Sequence, residues 1–403
     1  MTTVSKKRKH LRRSASQPAP AFSEHAQHIL KGNAAAAVAA RLCRVGFIPA
    51  YPITPQTSIV EQLADMVARR ELDATYVNMD SEHSVFAAAM GAALAGERVF
   101  TATAGQGLFY AHEVLQAIAH FRLPMVVCNV GRPSIPWNIW SDQSDSLSQR
   151  DTGWIQFYGE SSQEVLDTII QGYRLAEQLH LPVMVVLDAF YQSHTSENVW
   201  VPAPALVDRF LPSCRAEEGM VIDPIEHRAF GGLVAPPFYN KFSYSNWEAV
   251  VQVEEQAEAI DRAFGEVFGR RHYNVEAVHI GPQTKLVLVA IASIATTVRG
   301  VLDRHPDVGL LKLRLFKPFP AASVRRALAP LAGGVPIATI ERNYLGNREG
   351  ALLQEMKQAL YETPRPLYDF YAGVGGKDVP PATIERIIEM AKRGAAQVNW
   401  VDA

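Results

Sequence analysis

Three cysteines in 403 residues are few, and Cys43, Cys128 and Cys214 lie far apart in no metal-ligand pattern. They fit a reducing compartment, so the chain reads as cytoplasmic. They also fall short of the four thiolates that hold a cubane iron–sulfur cluster, so no cluster is expected within this chain. Excess charge is missing too. The 39 basic and 41 acidic residues give a formal net charge of -2, which offers nucleic acid no electrostatic footing. No apolar run reaches the ~20 residues needed to span a bilayer, so no membrane segment is expected. The sequence has no G-x-S-x-G, no H-E-x-x-H and no paired-cysteine zinc pattern, which leaves a nucleophilic hydrolase or a zinc enzyme without support. "GVGGKD" at 373–378 lacks the spacing of a phosphate loop and reads as a plain turn. "AGQGLF" at 104–109 is half a dinucleotide fingerprint, with Tyr110 where the third glycine would stand.

What remains is a chain 48% hydrophobic and 20% charged, long enough for two or three domains. Residues 1–23 hold the basic run "KKRKHLRR" and then Ser, Gln, Pro and Ala. That stretch is too polar to fold by itself and reads as a disordered tail; an electrostatic tether is the alternative. From 24 to 200, short apolar strands alternate with helical patterns. Strands are expected near 47–51, 76–78, 99–103, 124–128 and 182–188, with helices over 34–43, 58–68, 84–95, 107–119 and 163–178. Strands with little alternation, separated by helices, predict a parallel sheet covered on both faces. Residues 201–246 are rich in Pro, Gly and aromatics with little periodicity, and read as a linker or arm that packs on something. A second α/β unit over 247–372 has a helix at 250–268, then strands at 285–293, 308–316 and 335–340. A glycine turn and closing helix follow over 373–403.

Three loops follow strand ends, where open α/β sheets bind ligands. In "YPITPQ", 51–56, prolines hold Thr54 in a stiff turn. Either its hydroxyl is presented to a ligand, or Thr54, Thr57 or Ser58 caps the helix that follows. In "NMDSEHSVFAAAMGAALAG", 78–96, Glu82 opens a helix of small residues. Its simplest role is a cap on the helix dipole; the sharper one is proton chemistry from a partly buried position. In "NVGRPSIPWNIWSDQSDSLSQRDTGW", 129–154, Arg132 is the first cation past a buried strand and is placed to grip a carboxylate. Asp142, Asp145 and Asp151 have the chemistry to bind Mg2+, but pairing with Arg150 or capping local turns is the simpler reading.

These loops, in this order, resemble the alpha subunit of 2-oxoacid:ferredoxin oxidoreductases of the pyruvate synthase type. The matching residues are "YPITPQT", then "SEHSVFAAAMGAALAG" with "FTATAGQGL", and "GRPSIPWNIWSDQSDSLSQRDTGW". "GLLKLRLFKPFP", "ERN" and "GGKDV" match in the second half, so the resemblance runs from about Ala21 to Ala391. It implies an α/β fold: a thiamine-enzyme pyrimidine-binding domain followed by a domain like the transketolase C-terminal one. It implies thiamine diphosphate as cofactor, with Glu82 bonded to the aminopyrimidine ring and Pro52 and Ile53 lining it. Thr54 would reach the substrate, and Arg132 would hold the 2-oxoacid carboxylate.

The same resemblance implies partners. The Gly-Asp-Gly motif that thiamine enzymes use for Mg2+ and diphosphate does not occur here. A beta subunit is therefore expected to bring that half and a cluster, with gamma and ferredoxin-like delta subunits alongside. Coenzyme A, a 2-oxoacid, and ferredoxin or another acceptor complete the reaction. Departures bear on the substrate. Gly131-Arg132-Pro133 replaces a more usual Asn-Arg-Ala, "TAGQG" replaces a Ser-Gln-Gly form, and "AIASIATT" lacks a glycine common after that strand. Trp137, Trp140 and Phe109 suit either plain packing or an acid larger than pyruvate, branched-chain or aryl (phenylglyoxylate, for instance). The alternatives are a beta chain of a lipoyl-linked 2-oxoacid dehydrogenase, or a non-catalytic assembly subunit.

Overall fold

The computed structural model describes residues 26–213 and 232–401, together with Val221, Ile222 and Ile225. The basic tail and Cys214 lie outside the described residues.

The first half is built around a parallel sheet. Its elements begin with β1 (Ala26–Lys31), α1 (Gly32–Leu42), β2 (Phe47–Ala50), α2 (Thr57–Ala68) and β3 (Thr75–Asn78). Next come α3 (Glu82–Leu94), β4 (Phe100–Thr103), α4 (Gln106–Tyr110), α5 (His112–His120), β5 (Val126–Gly131) and α6 (Ser144–Leu147). The series closes with β6 (Ile155–Tyr158), α7 (Ser162–Leu179), β7 (Val183–Asp188), β8 (Ser196–Val201) and α8 (Pro204–Phe210). Strands β4, β5, β7 and β6 run parallel in the spatial order β6-β7-β5-β4. Every residue of β5 ("VVCNVG") and β7 ("VMVVLD") is buried, as expected for strands covered on both faces. A parallel pair, β2 and β3, extends this sheet through a bridge between Phe47 and Val99. Helix α1 is alanine-rich and almost wholly buried, which lets α7 pack close against it.

The second half follows α9 (Pro236–Val250) and α10 (Val253–Phe268). It holds β9 (Val275–Val278), β10 (Leu286–Ile291), α11 (Ser293–Leu302), β11 (Val308–Leu313), β12 (Leu315–Lys317) and α12 (Ala321–Leu328). Then come β13 (Ile337–Glu341), α13 (Ala351–Ala359), β14 (Leu367–Tyr371), α14 (Pro381–Arg393) and β15 (Val398–Trp400). Its six-stranded sheet has the order β15-β14-β13-β10-β11-β9, parallel except for the edge strand β9.

Three sequence expectations differ from what is found. The single strand expected over 308–316 is two. The chain breaks at Arg314, whose backbone N–H donates to Asn274 O and whose buried guanidinium reaches Gln171 and Thr168. Beyond that break, β12 joins the first sheet, antiparallel to β6, and stitches the halves together. The helix expected over 107–119 is divided at Ala111, which ends α4 and begins α5. The stretch read as an arm with little periodicity contains α8 and most of α9. In α9 the side chains of Phe238, Tyr239, Tyr244 and Trp247 are exposed.

A buried acid in the second half makes stability depend on pH. Glu341, at the end of β13, accepts from Leu352 and Leu353 N–H at the start of α13 and from Asn343 Nδ2. Burial, reinforced by the neighbouring Asp369 carboxylate, raises its carboxyl to about 8. An unfolded glutamate titrates near ~4.3. Between those values the folded chain keeps a proton that the unfolded chain has released, so Glu341 makes stability fall as pH rises from 5 to 8. Glu341→Gln carries no such proton. Thermal melts at pH 5.5 and 8 are expected to show the variant gaining on the wild type at the higher pH. Parallel shifts at both pH values would contradict this.

Candidate active site

Because β2, β3, β4 and β5 are parallel, the loops after them leave the sheet at the same edge. These are the three loops singled out by sequence, joined by a fourth, Ala104 to Gly107.

The first turn does not cap its helix. The N-cap of α2 is Gln56, without a side-chain cap bond, and Ser58 Oγ instead accepts from Asn33 Nδ2 at 2.9 Å. Asn33 Nδ2 also reaches Pro55 O at 2.8 Å, and Gln56 Nε2 reaches Tyr51 O at 2.8 Å. The turn is thus braced from the protein side, with a cis Thr54-Pro55 bond, and the Thr54 side chain stays exposed. Pro52 is exposed and Ile53 packs against the core.

Glu82 is the first residue of α3, but Ser81 is its cap, accepting from Ser84 N–H at 3.2 Å. The helix therefore does not need the Glu82 carboxylate as a cap. That side chain lies against Gly107. A Cβ there would sit 2.6 Å from Glu82 Cγ, 2.7 Å from Glu82 Oε1 and 2.6 Å from Thr103 Oγ1. Glu82 and Thr103 fill this space, so only glycine fits at 107. Thr103 Oγ1 is buried beside the carboxylate with no hydrogen-bond partner among the described residues.

Arg132 follows β5 and is only 7% exposed. Its Nη1 donates to Thr54 O at 2.6 Å, its Nη2 to Gln106 Oε1 at 3.0 Å and its Nε to Asn138 O at 3.1 Å. One guanidinium thus joins three of the loops. Burial opposes its charge, while the carboxylates of Asp145 and Glu82 favour it. Gly105, with φ +51°, makes room for it: a Cβ there would lie 3.1 Å from Arg132 Nε. Thr54, Glu82 and Arg132 therefore belong to one cluster. Sequence reasoning missed Gln106 and Thr103 as members, although the glycines of "AGQG" marked where backbone comes close.

Two acidic residues of the long loop, Asp142 and Asp151, serve structure. Asp142 accepts from Ser144 N–H and from Gly375 N–H at 2.8 Å, and the exposed Asp151 pairs with Arg150 at 3.7 Å. No group of three or more His, Cys, Asp or Glu side chains that could hold a metal ion occurs among the described residues. The glycine turn at 373–376 is the seat of this loop. Gly375 O accepts from Asn138 Nδ2 at 3.0 Å, next to the contact between Asn138 O and Arg132. Behind it, Arg342 Nη1 bonds Asp188 Oδ2 at 3.1 Å, and Ser293 N–H donates to the same oxygen at 3.0 Å. Trp140 packs on Phe190 with ring centres 4.7 Å apart and planes tilted by 49°, and Trp137 is exposed.

Gly376 has φ +88°, and a Cβ there would lie 2.1 Å from Trp140 Cβ. Gly376→Ala is expected to cost about 2–4 kcal/mol through strain and overlap. It should also shift Asn138 away from Arg132. Thermal denaturation checks the first effect, and an unchanged melting temperature would refute it.

The arrangement joins a carboxylate at a helix start, a glycine-lined cradle and a buried guanidinium at one sheet edge. That set can bind a flat polar ring and an anionic group side by side. Comparisons with known proteins bear on the family of the chain. Residues 38–262 match the family model described as "Pyruvate flavodoxin/ferredoxin oxidoreductase, thiamine diP-bdg", and residues 284–384 match "Pyruvate:ferredoxin oxidoreductase core domain II". The chain is 40% identical to the pyruvate synthase subunit PorA of Methanothermobacter thermautotrophicus, over 93% of this chain and 97% of that one. It is also 40% identical to the ketoisovalerate oxidoreductase subunit VorA of Pyrococcus horikoshii, over 91% and 93%. Among solved structures, the 2-oxoglutarate:ferredoxin oxidoreductase of Magnetococcus marinus shares the fold, with TM-score 0.68 at 18% identity, over 91% of this chain and 65% of that one. A split-gene transketolase aligns with TM-score 0.50 at 10% identity, over 89% and 94%. The chain thus belongs to the family of 2-oxoacid:ferredoxin oxidoreductase alpha subunits, with a thiamine-diphosphate-binding first half.

Proposed function

We propose that this chain supplies the aminopyrimidine half of a thiamine diphosphate site, together with the arginine that holds the 2-oxoacid carboxylate. The observation that carries the reading is the convergence of Glu82, the Thr54 turn and Arg132 at one sheet edge. The residues suit the cofactor. Glu82 offers a carboxylate to a ring nitrogen, Gly107 gives that side chain the room it occupies, and the Thr103 hydroxyl, without a hydrogen-bond partner among the described residues, is available as a further hydrogen-bonding group. When bound, thiamine diphosphate supplies a nucleophilic carbon and an electron sink for decarboxylation. Glu82 holds the ring and keeps a proton on its nitrogen. Arg132 would orient the substrate carboxylate, and the exposed Thr54 hydroxyl would be within reach of the reacting group. Pro52 and Ile53 line the ring.

The reaction is oxidative decarboxylation of a 2-oxoacid to an acyl-CoA and CO2, in the cytoplasm, with electrons passed to ferredoxin or a similar acceptor. A beta subunit brings Mg2+, the diphosphate site and a cluster, and gamma and ferredoxin-like delta chains complete the complex. The substrate is pyruvate or a branched-chain acid, in keeping with the names of the two relatives. The test is CoA-dependent reduction of a viologen dye by the complex purified through this chain, over a panel of 2-oxoacids. Turnover with one acid is expected. No turnover with any acid, in a complex shown to hold thiamine diphosphate and iron, would overturn the CoA-acylating reading. Reduction of a lipoyl domain instead would favour the dehydrogenase alternative.

A further inference from the structure

Asp145 lies in the long loop and is fully buried. Its Oδ1 accepts from the adjacent Ser146 N–H at 2.6 Å, an ordinary contact at the first turn of a short helix. Its Oδ2 does something different. It accepts from Gly105 N–H at 2.8 Å, Arg132 N–H at 3.0 Å and Asn129 Nδ2 at 3.1 Å. These donors precede Asp145 by 40, 13 and 16 positions and come from the end of β5 and the loop after β4. A residue that merely closed its own turn would need only the first contact.

The geometry points to Asp145 as a positioning residue that sets the distance between the cofactor-facing loop and the substrate-facing arginine. This rests on the roles proposed above for Glu82 and Arg132. Gly105 begins the loop whose Gly107 abuts Glu82, and Arg132 is fixed at its backbone by the same oxygen that fixes Gly105. One carboxylate oxygen therefore pins the backbones of two subsites whose side chains meet separately, through Arg132 Nη2 and Gln106 Oε1. Its charge also faces the Arg132 guanidinium and favours the cationic form. A neutral amide cannot replace it. An asparagine must point its NH2 either at the three donors or at Ser146 N–H, so one side meets donor with donor.

The test is Asp145→Asn in the assembled complex, assayed with pyruvate and with 2-oxoisovalerate, beside Arg132→Lys. We expect KM for the turned-over acid to rise about tenfold while kcat stays within about threefold, because a small displacement of a binding group costs affinity first. We also expect thiamine diphosphate, titrated calorimetrically into cofactor-stripped complex, to bind about three- to tenfold more weakly. Asn129→Ala removes one of the three donors and should act in the same direction, with KM raised about threefold, should the first variant not assemble. Wild-type KM and cofactor affinity in these variants would overturn the proposal. So would a loss of kcat and melting temperature with KM unchanged, which is the signature of a purely structural role. If Arg132→Lys itself leaves KM unchanged, it is the carboxylate role of Arg132 that fails. The Asp145 proposal then stands or falls on the cofactor titration, and unaltered affinity sinks it.

Discussion

Replacing Glu82 by glutamine is expected to lower turnover of the assembled complex by about 10²–10³-fold, with the fold intact. The two halves of that statement come from different observations. Turnover falls because the amide cannot hold a proton at a ring nitrogen as a carboxylic acid can. Stability is spared because the helix is capped by Ser81, and because glutamine fits the space beside Gly107 that the glutamate already fills. The expected signature is a drop in kcat with KM for the 2-oxoacid little changed, since Glu82 faces the cofactor. Melting temperature should stay within a few degrees. Turnover within threefold of wild type would remove Glu82 from the chemistry and revive the view of this chain as an assembly subunit.

Arg132→Lys should produce the opposite pattern. KM for the 2-oxoacid is expected to rise about 30- to 150-fold, corresponding to about 2–3 kcal/mol, with a smaller change in kcat. Arg132 spends three donors on Thr54 O, Gln106 Oε1 and Asn138 O, which keep it in one plane. Of the five N–H groups of a guanidinium, two are left over for a carboxylate. Lysine has three donors in all, so it cannot both brace the loops and bind the substrate. Thiamine diphosphate affinity should change little, because the ring is held from the Glu82 side. A steady-state comparison over a 2-oxoacid concentration series decides the matter; a KM within threefold of wild type would show that the carboxylate is bound elsewhere.

The family and the three loops were legible in the sequence because they depend on short-range signals. "YPITP" announces a stiff turn, "SEHS" a helix start, and "VVCNV" and "VMVVLD" buried strands. Other features depend on contacts that no local pattern carries. β6 is only four residues, "IQFY", and follows directly on a long loop, so no periodicity marks it. The division of 308–316 into β11 and β12 turns on where one buried arginine finds its partners, far away in sequence. Proline at the first turn of α8 and of α9 is compatible with a helix start, yet the aromatic content around α9 masked a helical reading. In the site itself, the acids of the long loop raised the thought of a metal. Asp142 and Asp145 serve as hydrogen-bond acceptors for backbone that only folding brings near, as Asp142 does for Gly375, while Asp151 pairs with Arg150. The capping role open to Glu82 fell to its neighbour Ser81, a distinction of one position that sequence reasoning cannot make.

The most direct test of the central claim is a structure of the assembled complex with thiamine diphosphate and its 2-oxoacid bound. The account predicts a Glu82 carboxylate oxygen within hydrogen-bond distance, about 2.6–3.2 Å, of an aminopyrimidine nitrogen, with Arg132 on the substrate carboxylate from the other side. A cofactor ring seated away from Glu82, or a substrate carboxylate held by a residue other than Arg132, would contradict it.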